Sequence, residues 1–262
     1  MPRQPALTLY PLRFPTVRPG EDLFRTVYKS LTEEQLRLRH ADILAIASKV
    51  VSVCEGRIVK LADAPVNRTA QLAAHKWRVD EKLAAFVVKE ADEIVGGVNG
   101  FILTVKNGIL TPNAGIDMKN SPRGTATLWP INPDRSAREL RRKLEHRYNT
   151  SIGVEIVDSH VTPFRLGTVG LAIGLSGFIP VRDHRGAHDI FGRSIRVTQI
   201  NVADDMAAAA HLLMGESKEH VGAVLIRGGQ LAINAAATGE LARLNRDRCL
   251  IGSSLRSDGL RV

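Results

Sequence analysis

Apolar positions along this chain switch between a four-residue and a two-residue spacing, without a regular strand–helix–strand period. Leu23, Val27 and Leu31 recur every four residues behind Gly20-Glu21-Asp22, which predicts a helix ending before His40, its acidic opening pair matched to the positive end of the dipole. Residues 43–53 are dense in Ile, Val and Ala and read as a buried strand; Glu55-Gly56-Arg57 then turns the chain into a second strand at 58–61. A helix is expected over 80–95, with Leu83, Phe86 and Val87 on one face. Asn107-Gly108 between the apolar runs 101–105 and 109–111 predicts a hairpin, because both residues tolerate positive φ.

Pro133-Asp134-Arg135-Ser136 starts the next helix, with Ser136 and Glu139 at capping-box spacing, Ala137, Leu140 and Leu144 as the buried stripe and a strongly basic opposite face. Strands are expected at 154–157 and 195–198, with a glycine-rich apolar stretch, 167–177, between them. Residues 203–214 form an alanine-rich helix closed by Gly215, and 221–226 reads as the last strand. This mixture defines an α+β class.

At 262 residues the chain can bury roughly 70% of its unfolded surface without disulfides. The two cysteines, Cys54 and Cys249, form no framework, so a reducing cytoplasm is the expected compartment. Residues 1–5 hold no apolar leader core, and the apolar stretch 169–181 is too short and too broken by Gly170, Gly174, Ser176, Gly177 and Pro180 to span a bilayer, so no membrane partner is expected. The net charge of +9 points to an anionic partner, but the basic residues are dispersed and aromatics make up only 5%, which argues against nucleic acid. A phosphate-bearing small substrate accounts for the charge, as does an ordinary solvated basic surface.

Three stretches carry oxygen ligands at turns: Asn113-Ala114-Gly115-Ile116-Asp117, Val157-Asp158-Ser159 and Met214-Gly215-Glu216-Ser217. Two aspartates and a glutamate from distant segments suit a hard divalent cation. Asp117 and Asp158, each read alone, could equally cap a turn. A carboxylate at Glu216, just past a helix C-terminus, is disfavoured by the dipole unless a cation is near. The chain has no Gly-x-Gly and no Gly-Lys, which excludes the Rossmann and P-loop cradles. Lys49 beside Ser48, inside the expected first strand, is costly to bury unless an anion meets it. Asp183, His184, His188 and Asp189 could hold a transition metal or simply line a string of turns. Arg165 could present its guanidinium to a phosphate or carboxylate, or to a surface ion pair.

From about residue 12 to residue 229 the chain resembles the GTP-dependent glutamyl ligases of coenzyme F420. The resemblance rests on Gly-x-Asp-Leu at 20–23, Ser-Lys-Val-Val-Ser at 48–52, Glu-Gly-Arg at 55–57, Asn-Ala-Gly-Ile-Asp at 113–117, Asn120, Pro133-Asp134-x-Ser136-Ala137, Ala172-Ile173-Gly174 and Met-Gly-Glu at 214–216. It implies a two-lobed catalytic domain over 1–230 with an extension at 231–262, an intertwined homodimer, and ligation of L-glutamate to a phosphorylated deazaflavin acceptor through an acyl phosphate. Asp117, Asp158, Ser159 and Glu216 would then hold two Mg²⁺ or Mn²⁺ ions, with K⁺ as a further cation. Asp117, Asp158 and Arg165 would act in catalysis. Phe14, Pro15, Thr16, Val17, Ser48, Lys49, Asn120, Met214, Gly215, Glu216, Ser217, Lys218, Glu219, His220 and Val221 would border GTP. The chain departs from the family pattern at Val53, where a lysine is usual, at Val161 and Thr162, where Gly-Arg is usual, and at Lys119, where a serine is usual. A paralogue ligating an amino acid to another acid, or a non-catalytic nucleotide-binding protein, is the alternative reading of the same residues.

Overall fold

The computed structural model describes residues 6–229 and 231–255. Residues 1–5, where the expectation of no leader falls, and 256–262 of the expected extension lie outside them. In chain order the elements are β1 (Thr8–Arg13), α1 (Leu23–Glu33), β2 (Ile43–Ala47), α2 (Ser48–Cys54), β3 (Ile58–Lys60), α3 (Arg68–Trp77), α4 (Glu81–Glu90), β4 (Glu93–Val98), β5 (Phe101–Lys106) and β6 (Ile109–Pro112). There follow β7 (Thr125–Thr127), α5 (Pro133–Tyr148), β8 (Gly153–Val161), β9 (Thr168–Phe178), β10 (Val181–Asp183), β11 (Gln199–Asn201), α6 (Val202–Met214), β12 (Val221–Arg227) and β13 (Ile233–Thr238). Helices and several separate sheets make the chain α+β. It divides into two compact units, one built from residues up to 54, 132–160 and 168–242, the other from 55–131, 161–167 and 243 onward. Among the described residues no helix is long and apolar enough to cross a membrane.

The first unit is a six-stranded sheet in the order β1-β12-β2-β8-β9-β13. In it β2 runs parallel to β8 with Ala47 opposite Val157, so both strands deliver their next residues, Ser48 and Asp158, at the same end of the sheet. Strand alternation gives Ile43, Ala45 and Val157 to one face, where they pack with Ala203, Ala207, Ala210 and Met214 of α6. The alanines of α6 let its backbone approach the sheet closely. Asp22 opens α1 by accepting from the amide of Arg25 at 3.0 Å, as the acidic opening of that helix suggests. The cap of α5 is Asn132, whose side chain accepts from Arg135 at 2.9 Å. Ser136 and Glu139, expected as a capping box, lie inside the helix instead, and Glu139 pairs with Arg135.

Three expected elements differ. The strand expected over 43–53 stops at Ala47, and Ser48 to Cys54 is helical despite three valines, because local β-propensity yields to packing in the fold. Lys49 is therefore a half-buried residue in the first turn of a helix, not a lysine inside a strand. The helix expected over 80–95 ends at Glu90; Ala91 is extended and 93–98 forms β4. Residues 195–198 form no strand: Ile195 bonds Ala187 and the ladder begins only at Gln199. Segment 231–255 supplies β13, antiparallel to β9, so β12 is not the last strand.

In the second unit α3 and α4 pack Ala70, Ala73, Trp77, Leu83 and Phe86 against Ile94 and Ile102. Its β4-β5-β6 sheet contains the hairpin foreseen at Asn107-Gly108, with Lys106 opposite Ile109 and φ of 51° and 72° at the two turn residues. Lys106 and Arg57 both reach the Glu90 carboxylate. Burial alone would raise that carboxyl's pKa, but the two cations hold it below the usual range.

Candidate functional site

The first group forms where β2 becomes α2. Ser48 is buried, and its hydroxyl donates to Asp158 Oδ1 at 2.7 Å. Asp158 does not end its strand as expected: β8 continues to Val161, although its ladder with β2 stops at Val157. There β2 gives way to a helix, and Asp158, Ser159 and His160, beyond the ladder, are half-buried. Burial pushes the His160 imidazole pKa down, favouring the neutral ring. An aspartate held by a buried serine at a helix start thus stands just beyond the carboxyl end of a parallel pair, the end at which open α/β sheets bind ligands.

The second group surrounds the end of α6. Gly215 caps the helix, donating to the His211 carbonyl at 3.0 Å, with φ 67° and ψ −173°. A side chain there would run into Glu219, whose Oε2 accepts from the Ser217 amide at 2.7 Å. This folds 214–221 into a tight turn whose His220 carbonyl accepts from Phe14 N at 2.9 Å. The Phe14 ring packs on Gly222, where a Cβ would stand 2.0 Å from Cδ2. Phe14 is buried, Pro15 and Thr16 are exposed, and Val17 is half-buried. The two segments expected to border a nucleotide thus meet. Glu216 Oε1 is 2.9 Å from His211 Nε2 and 3.2 Å from Thr168 Oγ1. Neither partner carried a signal in the sequence: His211 is one polar residue in an alanine-rich helix, and Thr168 opens a glycine-rich strand.

Asp117 and Asn120 belong to the second unit, as does Arg165. Three successive residues, Asn113, Ala114 and Gly115, have φ of 50°, 53° and 71°. The Asn113 side chain accepts from Ile102 N, and Thr104 Oγ1 accepts from Ala114 N while donating to the Thr111 carbonyl. Gly115 lies against Trp129, where a Cβ would stand 2.2 Å from the indole. This locked turn delivers Asp117 to a two-way backbone pairing with Thr127, at 3.0 and 2.8 Å. Asp117 Oδ1 also accepts from Lys119 N at 2.7 Å, so the carboxylate caps a turn. Asn120 follows with φ 55°. Arg165 is exposed, after Phe164 at φ 57°, and its amide donates to the Thr162 carbonyl. Asp183 and Asp189, weighed above as metal ligands, accept instead from Arg185 and from the amides of Phe191 and Arg193.

Among the described residues no three His, Cys, Asp or Glu side chains gather into a ready-made metal cage. Carboxylate and hydroxyl oxygens, the donor type a hard cation takes, stand together at Asp158 with Ser48 and at Glu216 with Thr168.

The family model described as F420-0:Gamma-glutamyl ligase matches residues 11–228. A protein of Methanopyrus kandleri named coenzyme F420:L-glutamate ligase is 40% identical over 213 residues, covering 81% of this chain and 82% of the relative. Proteins of the same name from Methanothermobacter thermautotrophicus and Archaeoglobus fulgidus are 37% identical over 215 residues (82% and 85% coverage) and 36% identical over 233 residues (88% and 90% coverage).

Proposed function

The chain belongs to the F420-0:Gamma-glutamyl ligase family, and from that premise we propose that it is a GTP-driven ligase joining L-glutamate to a carboxylate of the deazaflavin coenzyme F420 precursor. The observation that carries the reading is the Ser48–Asp158 pair at the common end of β2 and β8. The acceptor carboxylate attacks the γ-phosphorus, GDP leaves, and the resulting acyl phosphate is attacked by the glutamate amine, which loses a proton as phosphate departs.

Asp158, Ser159 and Glu216 in the first unit, and Asp117 in the second, are the candidate ligands for divalent cations, which when bound would supply positive charge against the phosphate oxygens. Ser48 keeps the Asp158 carboxylate in one orientation, so no rearrangement is needed as the cation arrives. Phe14 and the 214–221 turn would enclose the nucleotide, the buried ring excluding water on one side. Arg165, exposed on the 161–167 segment, would pair with an anionic group of the acceptor. The same reading carries a homodimer.

The test is Asp117→Asn and Asp158→Asn, assayed with the precursor, L-glutamate, GTP and Mn²⁺, beside a panel of other acids. Each change removes charge with little volume, so turnover should vanish while circular dichroism is unchanged. Wild-type turnover in either variant would remove that carboxylate from the site. Robust ligation to another acid alone would transfer the same chemistry to a different acceptor.

A further inference from the structure

One seam joins α6 to β9. Asp204 Oδ1 accepts from Ala172 N at 3.1 Å. Gly170 lies beneath the helix, where a Cβ would stand 2.2 Å from the Ala207 carbonyl oxygen and 2.6 Å from His211 Cβ. Thr168 Oγ1 reaches Glu216 Oε1 at 3.2 Å. Positions 204, 207 and 211 share a helix face, and 172, 170 and 168 share a strand face, so the contacts fall in order along one line. At its end His211 Nε2 meets the same Glu216 oxygen at 2.9 Å, with the imidazole only 16% exposed against 41% for the glutamate side chain.

We propose that His211 is a positioning residue: with Thr168 it holds the Glu216 carboxylate in the orientation that receives the divalent cation. This rests on the reading of Glu216 as a cation ligand. Glu216 lies past the helix cap, on the solvent side of a turn, where an untethered glutamate would sample many rotamers and lose that freedom on binding. The two donors converge on Oε1 from two elements, one on α6 and one on β9, and so hold that oxygen from two sides. Gly170 is what allows this, since any larger residue would lift α6 and carry His211 away from Thr168. Loss of a residue that orients a metal ligand typically lowers metal affinity about 10- to 100-fold.

The experiment is Mn²⁺ titration of the full chain with GTP, followed by the electron paramagnetic resonance signal of free Mn²⁺, for wild type, His211→Ala, His211→Gln, Thr168→Val, Glu216→Gln, Asp158→Asn and the His211→Ala/Glu216→Gln double variant. We expect His211→Ala to weaken binding roughly 10- to 100-fold, Thr168→Val to weaken it less, and His211→Gln, which keeps a donor, to restore most of the loss. In the double variant His211→Ala should add nothing to Glu216→Gln, because there is no carboxylate left to orient. Thr168→Val, on an exposed residue, reads the same hold if His211→Ala does not fold. If Glu216→Gln weakens binding while His211→Ala and Thr168→Val do not, or if the losses simply add in the double variant, the positioning role is overturned and the ligand reading stands. If Glu216→Gln leaves Mn²⁺ affinity unchanged while Asp158→Asn lowers it, the ligand reading itself fails.

Discussion

Replacing Glu155 with methionine should stabilise the first unit, by an amount that grows with pH. Glu155 sits on β8 between Gly153 and Val157, opposite Ala45, on the face that α6 covers. It is fully buried, and both carboxyl oxygens lack a hydrogen-bond partner. Burial pushes its pKa well above the usual carboxylate range, and the nearby Asp204 charge adds to the shift. A buried polar group left without a partner costs about 1–3 kcal/mol, so near pH 5 the methionine variant should gain roughly that much. The pH dependence has a definite sign. The folded state keeps a proton that the unfolded chain releases above about 4.3, so the wild type's proton-linked stability is intact below that pH and is lost as pH rises toward the folded-state pKa. Across that window the wild type should fall by about 1.4 kcal/mol per pH unit relative to the variant, the value of one full proton. Asp204 is raised by its own burial, but it is present in both proteins and cancels to first order. Urea unfolding at several pH values from about 5 to 8 measures the difference. The probe should be circular dichroism or amide exchange in β8, because Trp77 and Trp129 both belong to the second unit and would report the wrong part of the chain. A stability difference that stays flat with pH would refute the assignment of a protonated core acid, and a variant weaker at every pH would show that the carboxyl has a stabilising partner.

Two further outcomes are expected. Ala114→Val should destabilise the second unit by about 2–4 kcal/mol in urea unfolding, since Ala114 has no exposed surface and a left-handed φ of 53° that a β-branched residue resists; a cost below about 1 kcal/mol would mean that the turn relaxes freely. Light scattering at micromolar concentration should give about twice the 28.6 kDa chain mass, and a mass that stays at 28.6 kDa would count against the homodimer.

What could be read from the sequence is what local physics decides. Asn107-Gly108 specified its hairpin because two adjacent positive-φ residues have few other uses, and Gly215 marked the end of α6 for the same reason. The alanine-rich periodicity of 203–214 sufficed to place that helix. The Val-rich run after Ala47 misled, because β-branched residues favour a strand locally whereas the fold needs a helix start that turns Ser48 toward Asp158. Strand β13 was illegible: Ile233-Asn234-Ala235-Ala236-Ala237-Thr238 has neither alternation nor bulk, and it becomes a strand only by pairing with β9. At the candidate site the carboxylates were singled out by the sequence, although Asp158 lies within β8 and not at a turn. Their holders were not: Ser48, Thr168 and His211 reach them across 110, 48 and 5 residues, and no spacing rule announces contacts of that kind. Glu155 was one acidic letter in the apolar run from Val154 to Val157, with nothing in the sequence to mark its burial.

The parallel pairing of β2 and β8 also bears on how such a protein can diverge. Ser48 meets Asp158 because two hydrogen-bonded strands end level with one another, and that coincidence is inherited with the sheet, whatever follows it. Segments beyond the strand ends, such as 161–167 with its exposed Phe164, Arg165 and Leu166, can accumulate substitutions without shifting the register that brings hydroxyl and carboxylate together. A lineage built on this arrangement is free to vary its loops while the level strand ends that set hydroxyl against carboxylate stay as they are.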